Sequence, residues 1–291
     1  MNIPKTSYYH WLTGSLACRR RKQAEDMFIR DEIEKVILDI SGYGYRSIAR
    51  QLKKDNFRIK GKFVNHKRVL RIMRENSLLC QIKRHWINTT DSNHDLPTYP
   101  NLIKEPKFIP TNINQLWAAD ITYIKLLTQF VYLAVLLDVY SRKVIGWCLS
   151  DHIDHLLVLE ALKIALKERR ITHAQEKLIH HSDKGVQYCS HDYTDLLKFH
   201  GIRISMSHKG APWENGFVES FFKTLKINEV YLNEYENIYE AKHNIFNFIE
   251  KVYNQKRLHS SLDYRSPDEF EKKLNFNNLL TSQTRPVSVQ C

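Results

Sequence analysis

No stretch of the 291-residue sequence approaches the roughly 20 consecutive apolar residues needed to cross a bilayer. The opening MNIPKTSYYHWL lacks the apolar run of a secretory leader. These absences set the expectation of a cytoplasmic protein with no membrane partner. Paired cysteines are missing too: Cys18, Cys80, Cys148, Cys189 and Cys291 are odd in number, scattered, and never spaced C-x-x-C. That excludes a disulfide framework and leaves no basis for a structural zinc. His152 and His155 have ligand-like spacing, but no cysteine pair follows to complete four ligands. Internal repeats and low-complexity tracts are also absent.

Acidic residues are scarce in one region only. Residues 1–90 hold 20 Lys and Arg against 8 Asp and Glu, whereas residues 91–291 hold 24 of each, so the whole net charge of +12 lies in the first third. A polyanion-binding module joined to a charge-balanced globular domain accounts for that asymmetry. With 43% apolar residues the chain can bury at least one full core, and its length suggests two domains. Between the halves, Pro97, Pro100, Pro106 and Pro110 interrupt a polar stretch, which predicts an interdomain linker.

Ahead of the linker, helical patterns run over Tyr45 to Lys54 and Asn65 to Glu75, separated by a turn-rich stretch. In the second, Lys67, Arg71 and Arg74 fall at i, i+4 and i+7, with Val69, Ile72 and Met73 on another face. Such a helix can read DNA as the second element of a helix-turn-helix, making Lys67, Arg68, Arg71 and Arg74 candidate DNA contacts. An ordinary helical hairpin with a solvated basic face would show the same pattern. Beyond the linker, Trp117 to Lys125, Phe130 to Val139 and Val144 to Ser150 are β-branched and aromatic, as three sequential antiparallel strands would be. A helix over Leu156 to Lys167, a strand over Leu178 to His181, a helix over Tyr193 to Phe199 and a strand over Ile202 to Ser205 are expected next. Helices from about Asn215 to Lys226 and Tyr239 to Tyr253 complete an α/β pattern, a mixed sheet with helices on its faces.

Three acids stand where chemistry is plausible. Asp120 lies within the first core strand, flanked by Ala119 and Ile121, where a charge is costly unless paired or metal-bound. Asp183 follows a short strand and precedes Gly185, although an aspartate turning on its own backbone would look alike. Glu219 shares a helix face with Lys223 and Lys226, because seven residues fall only about 20° short of two turns; a salt-bridged surface helix would do the same. Each is weak alone, but 35 residues separate Asp183 from Glu219. Asp138, also on a core strand, is assigned to structure, and Trp117 and Trp213 to packing.

The order Asp, Asp, 35 residues, Glu, with a lysine seven beyond the glutamate, resembles the DDE transposases of bacterial insertion sequences and retroviral-type integrase cores. HSDKGVQY, NGFVESFFKTLK and YNQKRLHSSLDYRSP resemble more narrowly the second-reading-frame product of that insertion-sequence group, from about Ser7 to Phe270. Glu214 and Gly216 depart from the Asp and Ala common there. The resemblance implies a ribonuclease-H-like core with a five-stranded sheet, preceded by an all-α helix-turn-helix domain at about Tyr43 to Leu79. The expected organisation is a basic DNA-binding region over 1–90, a linker over 91–112, a catalytic core over 113–272 and a tail over 273–291.

It further implies Asp120, Asp183 and Glu219 as catalytic, metal-holding residues for two Mg²⁺, with Mn²⁺ able to substitute. Water would cut at the element end and the freed 3′-hydroxyl would attack a second phosphodiester, with no covalent protein intermediate. Lys223 and Lys226 become candidate DNA contacts, and His181, Lys184, Gln187 and Asn215 candidates for supporting the site. The implied partners are terminal inverted repeats, target DNA, further copies of the chain on DNA, and an upstream-frame product or a fusion with it, in a bacterial cytoplasm at the nucleoid. A nuclease of the same fold that cuts without joining, and a non-catalytic DNA-binding regulator, are the rival readings.

Overall fold

The computed structural model describes residues 5–79, 96–104, 107–172, 174–208 and 215–283, and the chain divides into two compact units, 1–82 and 83–291.

The first unit is helical. Helix α1 (Lys5–Asp39) buries Ile29, Ile33 and Val36, spaced at helical intervals, with Ile40 just beyond its end. This stripe meets Ile48 and Leu52 of α2 (Tyr45–Lys54) and Val69, Ile72 and Met73 of α3 (His66–Glu75), a helix capped by the Asn65 side chain on the Lys67 amide. The turn-rich stretch between α2 and α3 is a two-residue-strand hairpin, β1 (Arg58–Ile59) against β2 (Lys62–Phe63). Its tip, Lys60-Gly61, has φ of 50° and 75°, the pair of left-handed conformations that a type I′ hairpin requires and glycine adopts freely.

The basic face expected on α3 is divided. Arg68 donates to Asp26 (2.8 Å) and Glu25 (3.2 Å), and Arg71 to Asp26 (2.7 Å) and Glu75 (2.9 Å), so both arginines fasten α3 to α1. Lys67 and Arg74 lie exposed. Desolvation alone would raise the Asp26 carboxyl, but hydrogen bonds from Arg71 and Arg68 hold it below its ordinary value. Asp26→Ala is expected to weaken the unit by only about 1 kcal/mol, because the network is partly exposed. It removes the acid that Arg68 and Arg71 share, leaving each one carboxylate partner, so non-specific duplex affinity should rise and log Kd against log salt should steepen by up to about one; an unchanged slope would refute this use of the arginines.

In the second unit, β3 (Leu116–Lys125), β4 (Phe130–Asp138) and β5 (Val144–Ser150) form an antiparallel meander, and β6 (Ile179–Ser182) and β7 (Arg203–Met206) extend it in parallel. The strand order is β5-β4-β3-β6-β7, the five-stranded mixed sheet expected of a ribonuclease-H-like core. Alternate residues of β3 serve opposite faces. Leu116, Ala118 and Ile124 join a core with α7 (Gly216–Asn228), α8 (Ile238–Phe246) and a π-helical continuation, Asn247–Asn254. Trp117, Ala119 and Ile121 join the opposite core with α4 (His155–Glu168), α5 (Val186–Cys189) and α6 (His191–Phe199). The wider π turn brings the Asn254 amide against edge strand β5, where it both accepts from Val144 N and donates to Val144 O at 3.0 Å.

Two boundaries differ from expectation. Within the expected linker 91–112, Leu96 and Tyr99 pack against one core and Leu102, Ile103 and Phe108 against the other. Pro100 O accepts from Met206 N (3.3 Å) and Leu102 N donates to Ser205 Oγ (2.9 Å), so Pro100 lies in an irregular segment attached to the β7 edge. Residues 91–95 lie outside the described residues. The expected tail from 273 begins instead inside α9 (Pro267–Gln283). That helix is held by a two-pronged bond from Arg169 to Glu271 (2.9 and 2.6 Å) and by Lys143 to Asp268 (3.1 Å).

Candidate active site

The parallel register pairs Leu116 with Ile179, Trp117 with His180 and Ala118 with His181. Carried two residues on, it sets Asp183, just beyond β6, beside Asp120 on β3, on strands about 4.8 Å apart. Both follow the face covered by α7, whose Val218, Phe221, Phe222 and Leu225 bury against the sheet and leave Glu219 exposed near its N-terminus. Asn215, at the mouth of that helix, donates through Nδ2 to Ala119 O (2.8 Å), tying α7 to the residue preceding Asp120. The structure thus brings the three acids to one region.

Each aspartate also makes a local bond. Asp120 Oδ1 accepts from the Ile121 amide (2.8 Å), and Asp183 Oδ1 from the Gly185 amide (2.9 Å), the backbone turn foreseen as the plain role of such a residue. Those bonds leave acceptor capacity on both groups. Desolvation first, then the charges of Asp183 and Glu219, push the Asp120 carboxyl up to about 8, against the opposing Ile121 amide and Lys226. Glu219 is raised by desolvation. A bound hard cation would relieve the charge that Asp183 and Glu219 impose on Asp120. Among the described residues, no three His, Cys, Asp or Glu groups form a cluster that could already hold a metal ion.

The supporting candidates divide. His181, buried, shares a 2.9 Å hydrogen bond with Ser205 Oγ, and Gln187 donates to Ile153 O at 3.4 Å, so both bind framework. Lys184 is half-buried beside Asp183. Lys223 is exposed, whereas Lys226 places Nζ 4.2 Å from the Tyr123 ring centroid and within electrostatic reach of Asp120. Asp138 is fully buried, accepting from the amides of Asn114 (2.8 Å), Tyr140 (3.0 Å) and Ser141 (3.2 Å), in keeping with a structural assignment. Trp117 is buried in the core, while Trp213 and Glu214 lie outside the described residues.

Sequence reasoning passed over Tyr188 and the residues beneath it. Tyr188 is buried within electrostatic reach of Asp120 and Asp183, its ring edge-on to Tyr193 (5.4 Å, 77°). Tyr193 OH shares a 2.8 Å hydrogen bond with His180 Nε2. The available signal was the tyrosine closing HSDKGVQY, five residues after Asp183.

Burial, then the neighbouring His181, drives the His180 imidazole from 6.5 to about 3. An unfolded imidazole takes up its proton below pH 6.5 and the folded one stays neutral far lower. Stability is therefore full above that pH and falls as acid is added. Between pH 7 and 5 His180 is expected to cost about 2 kcal/mol, visible as a falling urea midpoint. His180→Gln should flatten that slope; an unaltered slope would assign the pH dependence to other groups.

Residues 110–212 match the Integrase core domain family and residues 200–267 a second model of the same description, while residues 24–86 match an HTH-like domain. The transposase InsF for insertion sequence IS3A of Escherichia coli K12 is 33% identical over 94% of this chain and 92% of its own length. The chain belongs to the insertion-sequence transposases. A transposase for insertion sequence element IS904 of Lactococcus lactis is 36% identical, covering 87% of this transposase and 96% of that protein. An uncharacterized 31 kDa protein of insertion element IS600 from Shigella sonnei is 34% identical over 93% and 96%. As a transposase the chain acts in DNA transposition, through an integrase-type core preceded by an HTH-like domain. Among the described residues, no helix is long and apolar enough to cross a membrane.

Proposed function

We propose that Asp120, Asp183 and Glu219 are the catalytic acids of this transposase and hold divalent metal, Mg²⁺ with Mn²⁺ as a substitute, for cutting and joining DNA at the ends of an insertion sequence. The observation that supports the reading is the parallel register, whose last pair, Ala118 with His181, lies two residues before Asp120 and Asp183, on the sheet face covered by the helix bearing Glu219. Two divalent ions would supply activation of the attacking oxygen and stabilisation of the leaving oxygen in an in-line displacement at phosphorus. Asp120 and Asp183 would hold oxygen-ligated charge from the sheet, and Glu219 would close the set from α7. Asn215 fixes the approach of α7 to β3 through Ala119 O. Lys223 and Lys226 stand along the same helix face to take phosphates of the same strand. In the exposed part of α3, Lys67 and Arg74 are the side chains best placed for DNA, while Arg68 and Arg71 reach it only by leaving Asp26.

On this reading the partners are terminal inverted repeats and target DNA, several copies of the chain assemble on them, and an upstream-frame product or a fusion with it can contribute to assembly. The test supplies the full chain with a duplex ending in a pre-cut 3′-hydroxyl, a labelled target duplex and Mg²⁺. Joined product is expected, with none when the metal is chelated. Cleaved but never joined DNA would favour the simple nuclease, and binding with neither product the regulator.

A further inference from the structure

Beyond the lysine end of α7 lies a cavity of about 470 Å³, within the size range of small-ligand sites. Its aromatic lining comes from four residues: Tyr123 near the end of β3, Phe130 opening β4, Tyr231 in the short helical turn after α7, and the fully buried Tyr235. Tyr123 and Phe130 stand edge to face, with centroids 5.6 Å apart and planes at 83°. Leu126 and Val230, both buried, make an apolar floor. Lys125 and Lys226 contribute cations to the same lining, and Glu234 one acid. Phe130 remains 42% exposed, so one aromatic wall is accessible from solution. Lys226 joins this cavity to the carboxylates, lying over Tyr123 while sensing the charge of Asp120.

Aromatic walls, an apolar floor and a cationic rim describe what a nucleotide offers in reverse: a planar base with apolar faces, polar edges and a phosphate. The volume accepts one ring system and not a duplex. We propose that this cavity receives a single unpaired nucleotide of the DNA strand running past the carboxylates, its base among Tyr123, Phe130 and Tyr231 and its phosphate at Lys125 and Lys226. The inference rests on the DNA-joining reading above and specifies what that reading leaves open, namely that the DNA end is bound frayed. Base-aromatic contacts tolerate any sequence, so the site would select strand separation and not base identity.

The test uses the full chain and two labelled duplexes of equal length, one blunt and one ending in a three-nucleotide single-stranded overhang that carries 2-aminopurine. The overhang duplex is expected to bind about tenfold more tightly than the blunt one, with quenching of the 2-aminopurine as it stacks. Tyr123→Leu and Tyr231→Leu should bring the two duplexes within about twofold and abolish the quenching. Lys125→Ala, a change at an exposed site that spares the core, should reduce overhang affinity alone. Equal binding of both duplexes by the unaltered chain would overturn the proposal. So would an overhang preference that survives both leucine substitutions in folded protein. Failure to bind even the blunt duplex would overturn the DNA reading beneath it, which separates the two failures.

Discussion

Asp120→Asn, Asp183→Asn and Glu219→Gln should each reduce strand joining by about a thousandfold or more, roughly 4 kcal/mol of transition-state stabilisation. Each change keeps the side chain's shape and removes its charge, so loss of activity without loss of structure marks a role in chemistry. Asp120 gives the sharper result. Its carboxyl sits at about 8 in the folded protein because desolvation and two neighbouring acids oppose its charge, so between pH 4 and 8 folding has to suppress an ionisation that the unfolded chain prefers. Asp120→Asn should therefore raise the metal-free melting temperature at pH 7 while removing activity. Asp138→Ala, which strips the acceptors from three backbone amides, should instead lower stability. Activity near the unaltered level in any of the three variants, or a fall in stability for Asp120→Asn, would sink the assignment.

Gly146→Ala should be the most damaging single methyl group in the core unit. A Cβ built there would stand 2.8 Å from both the backbone nitrogen and the Cβ of Ala165, and it would also strike the Ala161 carbonyl of α4. Backbone cannot yield as a side-chain tip does, so α4 must lift from β5. The expected cost is about 3 kcal/mol, at the upper end of ordinary overpacking, and Gly146→Val should prevent folding. Gly216→Ala provides the contrast: nothing lies within 4 Å of its added Cβ, and on α7 the change should stabilise by up to about 1 kcal/mol. Urea midpoints for the two alanine variants should move in opposite directions; a Gly146→Ala midpoint equal to the parent's would refute the close approach of strand and helix.

The elements that sequence made legible are those whose pattern is local. The β-branched runs of β3, β4 and β5 fell within two residues of their observed ends, and the spacing from Asp183 to Glu219 selected acids that the sheet and α7 bring to one region. Helix α1 was missed because Ile29, Ile33 and Val36 are interleaved with seven charged residues between Glu25 and Lys35, which mask the stripe. The arginines of α3 looked like a surface face because Asp26, more than 40 residues away, is invisible to a helical-period argument. Proline suggested a free linker, whereas Leu102, Ile103 and Phe108 needed the finished sheet to reveal their burial. The cavity beside Lys226 joins residues over 100 positions apart, Tyr123 and Tyr231, and no local pattern could pair them.

The central place of β3 has a consequence for synthesis on the ribosome. The meander β3-β4-β5 is built from short-range contacts and can close as soon as it emerges, but the other side of β3 pairs only with β6, which begins at Ile179. Until then the nascent chain carries Asp120 on an open sheet edge, a template for pairing with a neighbouring polypeptide. Glu219 arrives later still. A ribosome that stalls before β6 would release a sheet with that edge uncovered, prone to aggregate, and on the proposed assignment DNA cutting would need chains translated well past Glu219.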